Sequence, residues 1–253
     1  ARDGGFNAMF DFPLYFAMVD VFCKDQSPAR LAAVLSADRL YGDMLGANRE
    51  GLVTLLDNHD LPRILSACNN DLGRVRQALQ FMMTARGTPS FTWGTEAGLE
   101  GAQEPENRAD MNFESDHALG RAIQDGLERR RLRSVFQNGM DVLLEVEDGF
   151  LAYLRVSLDD TRPEVVLVVV NTTMGLRQVI IPKELGTDMA EVEVPAGQTK
   201  ITILESNGPS LAAYRAAKQK TTTAPIEVVV NNVKLAAGES LMLVGSGPEL
   251  GNW

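Results

Sequence analysis

The spacing of apolar and polar positions changes once along the chain, near Asn138. Before it, short apolar runs alternate with stretches of helical period. Residues 6–14 form an apolar run ending in Asp11-Phe12-Pro13, which reads as a strand end and a turn. Residues 15–23 carry apolar side chains at helical spacing, and 27–40 continue in helix-forming residues, opened by Ser27 as a cap and Pro28 at the first helical position. Residues 51–56 are a compact strand candidate that runs straight into Asp57-Asn58-His59-Asp60. Asp71 caps a predicted helix over 72–85, ended by Gly87 and Pro89. Residues 90–93 read as the next strand, 94–112 as a loop rich in Gly, Asp and Glu, and 116–136 as an arginine-rich helix. Strand and helix thus alternate, as in parallel βα units.

After Asn138 the period becomes two. Runs at 142–146, 150–156, 165–170, 176–181, 190–194 and 200–204 read as strands separated by turn residues, the pattern of an antiparallel sandwich. Residues 206–224 read as a linker with a short helix inside, and 226–230 and 240–244 as two further strands. A single complete barrel of eight βα units is excluded, because about three units are present.

Composition narrows the class. The chain has 253 residues, 45% hydrophobic and 23% charged, which suits a folded globular protein rather than a disordered one. Its formal charge of -10, from 34 acids against 24 bases, argues against a general grip on nucleic acid or an anionic membrane. No apolar run approaches the roughly 20 residues that span a bilayer. The 2 cysteines build no disulfide framework and lack metal-ligand spacing; Cys23 and Cys68 read as small buried hydrophobes. The arginines within 129–133 read as a solvated helix face pairing with acids, and His117 as an N-terminal helix residue.

Asp57-Asn58-His59-Asp60 is the sharpest candidate for chemistry. An Asp and a His side by side at a strand end can hydrogen-bond adjacent sugar hydroxyls, and the carboxylate can stabilise positive charge at an anomeric carbon. Asp and Asn equally suit a capping and turn cluster. Downstream, residues 87–96 and the run Glu104-Pro105-Glu106-Asn107-Arg108 read, taken singly, as a strand and a flexible loop.

Taken in order, "TLLDNHDLPR", a helix, "GTPSFTWGTEAGLEG" and "EPENRADM" resemble the last third of the catalytic barrel of the α-amylase family, glycoside hydrolase family 13. "FNAMFDFPL" fits the family's sixth-strand region, and "LRSVFQNGMDVLLEVEDGFLAYLRV" resembles its passage into the all-β domain C. The resemblance covers residues 1–204. It implies that Asp60 is the third catalytic carboxylate, on the strand-7 loop, that His59 contacts the same sugar, and that Asn58 shapes the loop. Glu96 and Arg108 match family-typical positions after strand 8 and are read as supports rather than direct substrate contacts. Trp93 stands where the family often has Tyr, and is read as a packing residue.

A retaining glycosidase also needs a nucleophile and a general acid/base close together. In this family they follow strands 4 and 5, and nothing here matches either. The tail, "IEVVVNNVKLAAGESLMLVGSGPELGNW", resembles the opening of a family-20 starch-binding module, with Trp253 at a sugar-stacking position.

The expected fold class is α/β plus all-β. Residues 1–137 would be the C-terminal part of a (β/α)8 barrel, 138–205 an antiparallel β-sandwich domain C, 206–224 a linker and 225–253 a truncated carbohydrate-binding module. The chain starts at Ala1 without Met or signal peptide and stops at Trp253, so it reads as a piece of a longer protein, inactive alone. The resemblance implies a retaining enzyme that cleaves α-1,4 glucosidic bonds, with starch, maltooligosaccharides or cyclodextrins as partners and neither nucleic acid nor membrane. The alternatives are a cyclomaltodextrin-forming transglycosylase, a neopullulanase-like enzyme and, in another class, a non-catalytic glucan-binding protein. No cofactor is assigned; calcium is common in the family, but its usual ligands lie in earlier segments. Family habit places the protein outside the cell or in the periplasm.

Overall fold

The computed structural model describes residues 8–37, 51–114, 117–159 and 161–220. In the first half, β1 (Met9–Phe10), β2 (Leu52–Thr54) and β3 (Thr88–Pro89) form a 3-stranded sheet with β2 in the centre. Both pairings are parallel, with Met9 opposite Leu52 and Val53 opposite Thr88. All three strands therefore point their C-terminal ends to one edge, where the loops after them gather.

The helices begin where the side chains supply caps. The Asp11 carboxylate accepts the Leu14 N–H at 3.1 Å and opens α1 (Phe12–Cys23). Helix α2 (Ala29–Ser36) follows Ser27-Pro28 and is capped by Ala37; residues 38–40 of its predicted length lie outside the described residues. A short helix not anticipated from the sequence, α3 (Ile64–Ala67), leads to α4 (Leu72–Thr84), whose first turn is capped by Asp71 accepting the N–H groups of Gly73 and Arg74. His117 Nδ1 accepts the Leu119 N–H and opens α5 (Ala118–Leu132), which α6 (Val135–Asn138) follows.

The predicted strand at 90–93 does not form. Pairing ends one step earlier, with Ser90 N–H on the Thr54 carbonyl at 2.8 Å. Thr92 Oγ1 then donates to the Asp57 carbonyl, and Arg63 takes the Trp93 carbonyl. Those bonds turn the chain off the sheet and towards the loop after β2.

Beyond Asn138, β4 (Met140–Glu147), β5 (Phe150–Val156), β6 (Val165–Asn171) and β9 (Gln198–Leu204) form an antiparallel sheet in the order β4-β5-β6-β9. A separate ribbon pairs β7 (Arg177–Ile180) with β8 (Glu191–Val194). Strands β5 and β6 are buried along their whole length. One face of the sheet, with Leu151, Tyr153, Val166 and Val168, joins the core made by α1, α2 and α4. The opposite face, with Leu154, Val165 and Leu167, packs against Val179, Val192 and Val194 of the ribbon. A residue buried on either face contributes about 1.5–3 kcal/mol, so the long apolar run at 165–170 is explained by coverage on both sides.

Within the predicted linker, the described residues hold a helix longer than the short one expected, and 221–224 lie outside the described residues. Gly208–Lys220 form α7, and Leu211 and Tyr214 are buried against the same core as the ribbon.

The arginine-rich helix also departs from a solvated face. Arg130 is buried and donates to the carbonyls of Met83, Ala85 and Gly87, closing the C-terminal end of α4. Burial, with the nearby Arg155, lowers its pKa to about 10. Arg133 instead pairs with Glu164 at 3.3 Å. The guanidinium of Arg155, fully buried, meets Asp141 at 2.9 Å and takes the carbonyls of Val135 and Phe136. These contacts join the βα half to the antiparallel half through charge-assisted bonds. Cys23, at the end of α1, and Cys68, just after α3, are buried as expected but bonded to each other as a disulfide.

Among the described residues, no helix is long and apolar enough to cross a membrane.

Candidate active site

The loop after β2 leaves the sheet edge at Leu55-Leu56, both buried, and dives once more at Asp57. The Asp57 carboxylate is the anchor. One oxygen accepts the Ile64 N–H at 3.0 Å, and the other accepts the Thr95 hydroxyl at 2.9 Å. Arg63 Nε lies 3.4 Å from the carboxylate, and both side chains are almost completely excluded from solvent. Burial pushes the Asp57 carboxyl up from its ordinary range. The Arg63 guanidinium and the two hydrogen bonds pull it back, and Glu96 adds a smaller upward push.

Between these anchors the chain turns outwards. Asn58 Oδ1 accepts the Asp60 N–H at 2.8 Å, so Asn58 shapes the turn. His59 and Asp60 emerge at its apex, about half to two-thirds exposed, with His59 Nε2 3.3 Å from an Asp60 oxygen. The segment after β3 clamps the turn from outside. Asn107 donates to the carbonyls of His59 and Leu61, and Arg63 N–H donates to the Gly101 carbonyl at 2.8 Å. Gly101 is required there: at φ +150, a Cβ would lie 2.4 Å from the Asn107 backbone nitrogen.

Arg108 reaches over the apex. Its Nη2 pairs with the other Asp60 oxygen at 2.9 Å and with Glu104, while its Nε donates to the His59 carbonyl at 3.1 Å. Arg108 therefore touches the candidate catalytic carboxylate directly, through a contact that local spacing does not reveal. Trp93 is not buried packing. It is 42% exposed, with its indole N–H on the Ala109 carbonyl and the Arg63 guanidinium 5.6 Å from its ring centre.

The structure thus brings His59, Asp60 and Arg108 together. Glu96 stays near Asp57 as a distant charge. Trp253 lies outside the described residues, as does the whole 225–253 segment. The sequence reading missed Arg63, Thr95 and Asn107. The signal for Arg63 was a single charged residue two positions after an exposed turn and directly before an apolar helix start.

The arrangement is one exposed carboxylate, an imidazole and a guanidinium on a rigid base, at the C-terminal edge of a parallel sheet. Such a cluster can bind vicinal hydroxyls and hold negative charge against a developing cation. No group of three or more His, Cys, Asp or Glu side chains that could hold a metal occurs among the described residues, so no calcium ligands are assigned to them.

A family model described as the catalytic domain of alpha amylase matches residues 2–178. The chain belongs to the α-amylase family. Within it, the chain is 35% identical to the beta/alpha-amylase of Paenibacillus polymyxa over 156 residues, 59% of this chain and 13% of that protein. It is 29% identical to a cyclomaltodextrinase of a Bacillus species over 171 residues, 66% of this chain and 30% of that protein. Its fold resembles that of the cyclic α-maltosyl-(1→6)-maltose hydrolase of Arthrobacter globiformis in complex with maltose, with a TM-score of 0.66 at 19% identity, over 78% of this chain and 44% of the other. The chain spans less than half the length of each of these α-amylase-family proteins and relatives.

Proposed function

We propose that this chain contributes the third carboxylate, Asp60, to an enzyme that cleaves α-1,4 glucosidic bonds in starch or maltooligosaccharides with retention. The observation that carries the reading is the exposed His59–Asp60 pair, fixed by Arg108 at the C-terminal edge of the sheet of an α-amylase-family chain. In this role Asp60 accepts hydrogen bonds from sugar hydroxyls and opposes the positive charge of an oxocarbenium-like transition state. His59 contacts the same sugar. Arg108 pairs with the carboxylate and fixes its direction.

A retaining reaction needs two more carboxylates, and no residue of this chain is assigned to either role. Asp57 does not substitute, because its oxygens are committed to Arg63, Ile64 and Thr95 inside the fold. The chain alone is therefore expected to turn over no substrate. The reading extends to a starch-binding opening over 225–253 with Trp253 as a stacking residue, supported by the sequence motif. It also extends to a location outside the cytoplasm, supported by the Cys23–Cys68 disulfide, since such bonds persist in oxidising compartments.

The test is turnover of maltoheptaose. In the enzyme that carries this chain, Asp60→Asn should lower kcat by at least about 10²-fold. Retained activity would refute the assignment of Asp60. Turnover by the 253-residue chain, abolished by Asp60→Asn, would instead refute its predicted inactivity.

A further inference from the structure

Resting on that reading, we propose that Trp93 is a sugar-binding platform beside Asp60, stacking on the apolar face of one glucosyl unit of the α-glucan. Trp93 is 42% exposed. It is also rigid. Its carbonyl is held by Arg63, its N–H donates to the Ala109 carbonyl at 3.1 Å, and the Arg63 guanidinium lies over the ring 5.6 Å from its centre. Because the N–H is already satisfied within the protein, the ring has nothing left to offer a ligand but its face. Arg63 is fully buried, so the face it covers is the inner one and the exposed face is the opposite one.

The location relates the ring to Asp60. Ala109, which fixes the indole edge, directly follows Arg108, which pairs with Asp60 at 2.9 Å. Indole and carboxylate are thus tied to consecutive residues of one segment. Asp60, His59, Glu104 and Arg108 supply charged and polar groups for hydroxyls, and Trp93 supplies a flat apolar surface. A pyranose has both features, hydroxyls around its rim and C–H groups on its face, so the pairing selects a sugar over a purely polar or purely apolar ligand. A preformed ring costs little ordering on binding.

Calorimetric binding of maltoheptaose to the chain and to its W93A, W93F and D60N variants tests this, with urea midpoints measured in parallel. Trp93→Ala should weaken binding about tenfold. Trp93→Phe, which keeps a smaller flat ring, should weaken it by roughly two- to threefold, and should keep the fold if Trp93→Ala does not. Part of the ligand-induced change in tryptophan emission should vanish in W93F, whose remaining tryptophan is Trp253. W93A and W93F proteins that bind like the unmodified chain overturn the proposal, and so does an unmodified chain that binds no maltoheptaose. The D60N arm separates this idea from the assignment of Asp60. Weakened binding with the Trp93 emission change intact supports both. Unchanged binding by the D60N chain, together with an unchanged kcat for Asp60→Asn in the enzyme that carries this chain, removes Asp60 and leaves the platform standing.

Discussion

Breaking the Asp57–Arg63 pair from either side should give unequal losses, and the inequality tests whether this pair underpins the apex that carries Asp60. Removing one partner of a buried ion pair costs about 3–5 kcal/mol. Asp57→Asn leaves a guanidinium with no exposure facing only the Trp93 carbonyl and Thr95 hydroxyl. Arginine cannot shed its proton to escape this, so the cost should lie near the upper end, about 4–5 kcal/mol. Arg63→Met leaves the Asp57 carboxylate with the Ile64 N–H and the Thr95 hydroxyl, and a carboxylate can neutralise itself by taking a proton. Its loss should be smaller, roughly 2–3 kcal/mol at pH 7. It should also shrink in acid. Burial already raises the Asp57 pKa, and removing Arg63 takes away the largest downward pull. The folded state then binds the proton more tightly than the unfolded one, so stability rises as pH falls from the raised value towards the ordinary 3.8. Asp57→Asn lacks this group and gains nothing from it. The double variant should recover about 1–2 kcal/mol relative to Asp57→Asn, because no unpaired charge remains. Urea unfolding followed by circular dichroism at pH 7 and pH 5 measures all four proteins. An Asp57→Asn variant within about 1 kcal/mol of the unmodified chain, or a double variant no better than it, would refute the argument.

Two further outcomes follow from buried groups that tie distant segments together. Loss of the Cys23–Cys68 bond, 45 residues apart in sequence, by Cys68→Ser should cost about 4 kcal/mol by loop-closure entropy; labelling of either cysteine by iodoacetamide in the native, unreduced chain would contradict the bond. Arg130→Gln should cost about 2–4 kcal/mol in thermal unfolding, since its guanidinium serves three carbonyls at the end of α4, while exposed Arg131→Gln should stay within about 0.5 kcal/mol; equal effects would show that the burial of Arg130 carries no weight.

What the sequence revealed and what it hid divide along the range of the interactions involved. Asp71 capping α4 and Asn58 turning the apex act across two or three residues, so their roles are legible in the local string. The strands after Asn138 are legible because burial on one face gives β8 its alternation, while burial on both faces gives β5 and β6 their continuous apolar runs. The run at 90–93 misled because its residues have strand-like character. Bonds to Asp57 and Arg63, some 30 residues earlier, decide its course instead. A longer separation, 48 residues, hid the contact between Arg108 and Asp60, residues that the family resemblance had assigned to separate roles.

Arg130 is the instructive exception, for its burial was readable from spacing. The buried positions of α5 are Leu119, Ile123, Gly126 and Arg130, steps of four, three and four that mark one face. Residue type alone made the cluster of arginines look like a solvated surface. Position on the face places Arg130 inside, where its charge is useful because the carbonyls of Met83 and Ala85 at the end of α4, and of Gly87 just before β3, need donors. Arg63 obeys the same logic. It stands one residue before Ile64 and Leu65, both buried, and where it enters the core it meets Asp57, the Trp93 carbonyl and Thr95. A charge at a core-facing position therefore points to the acceptors that must surround it. In this chain those acceptors are the parts that hold the turn carrying His59 and Asp60 in place.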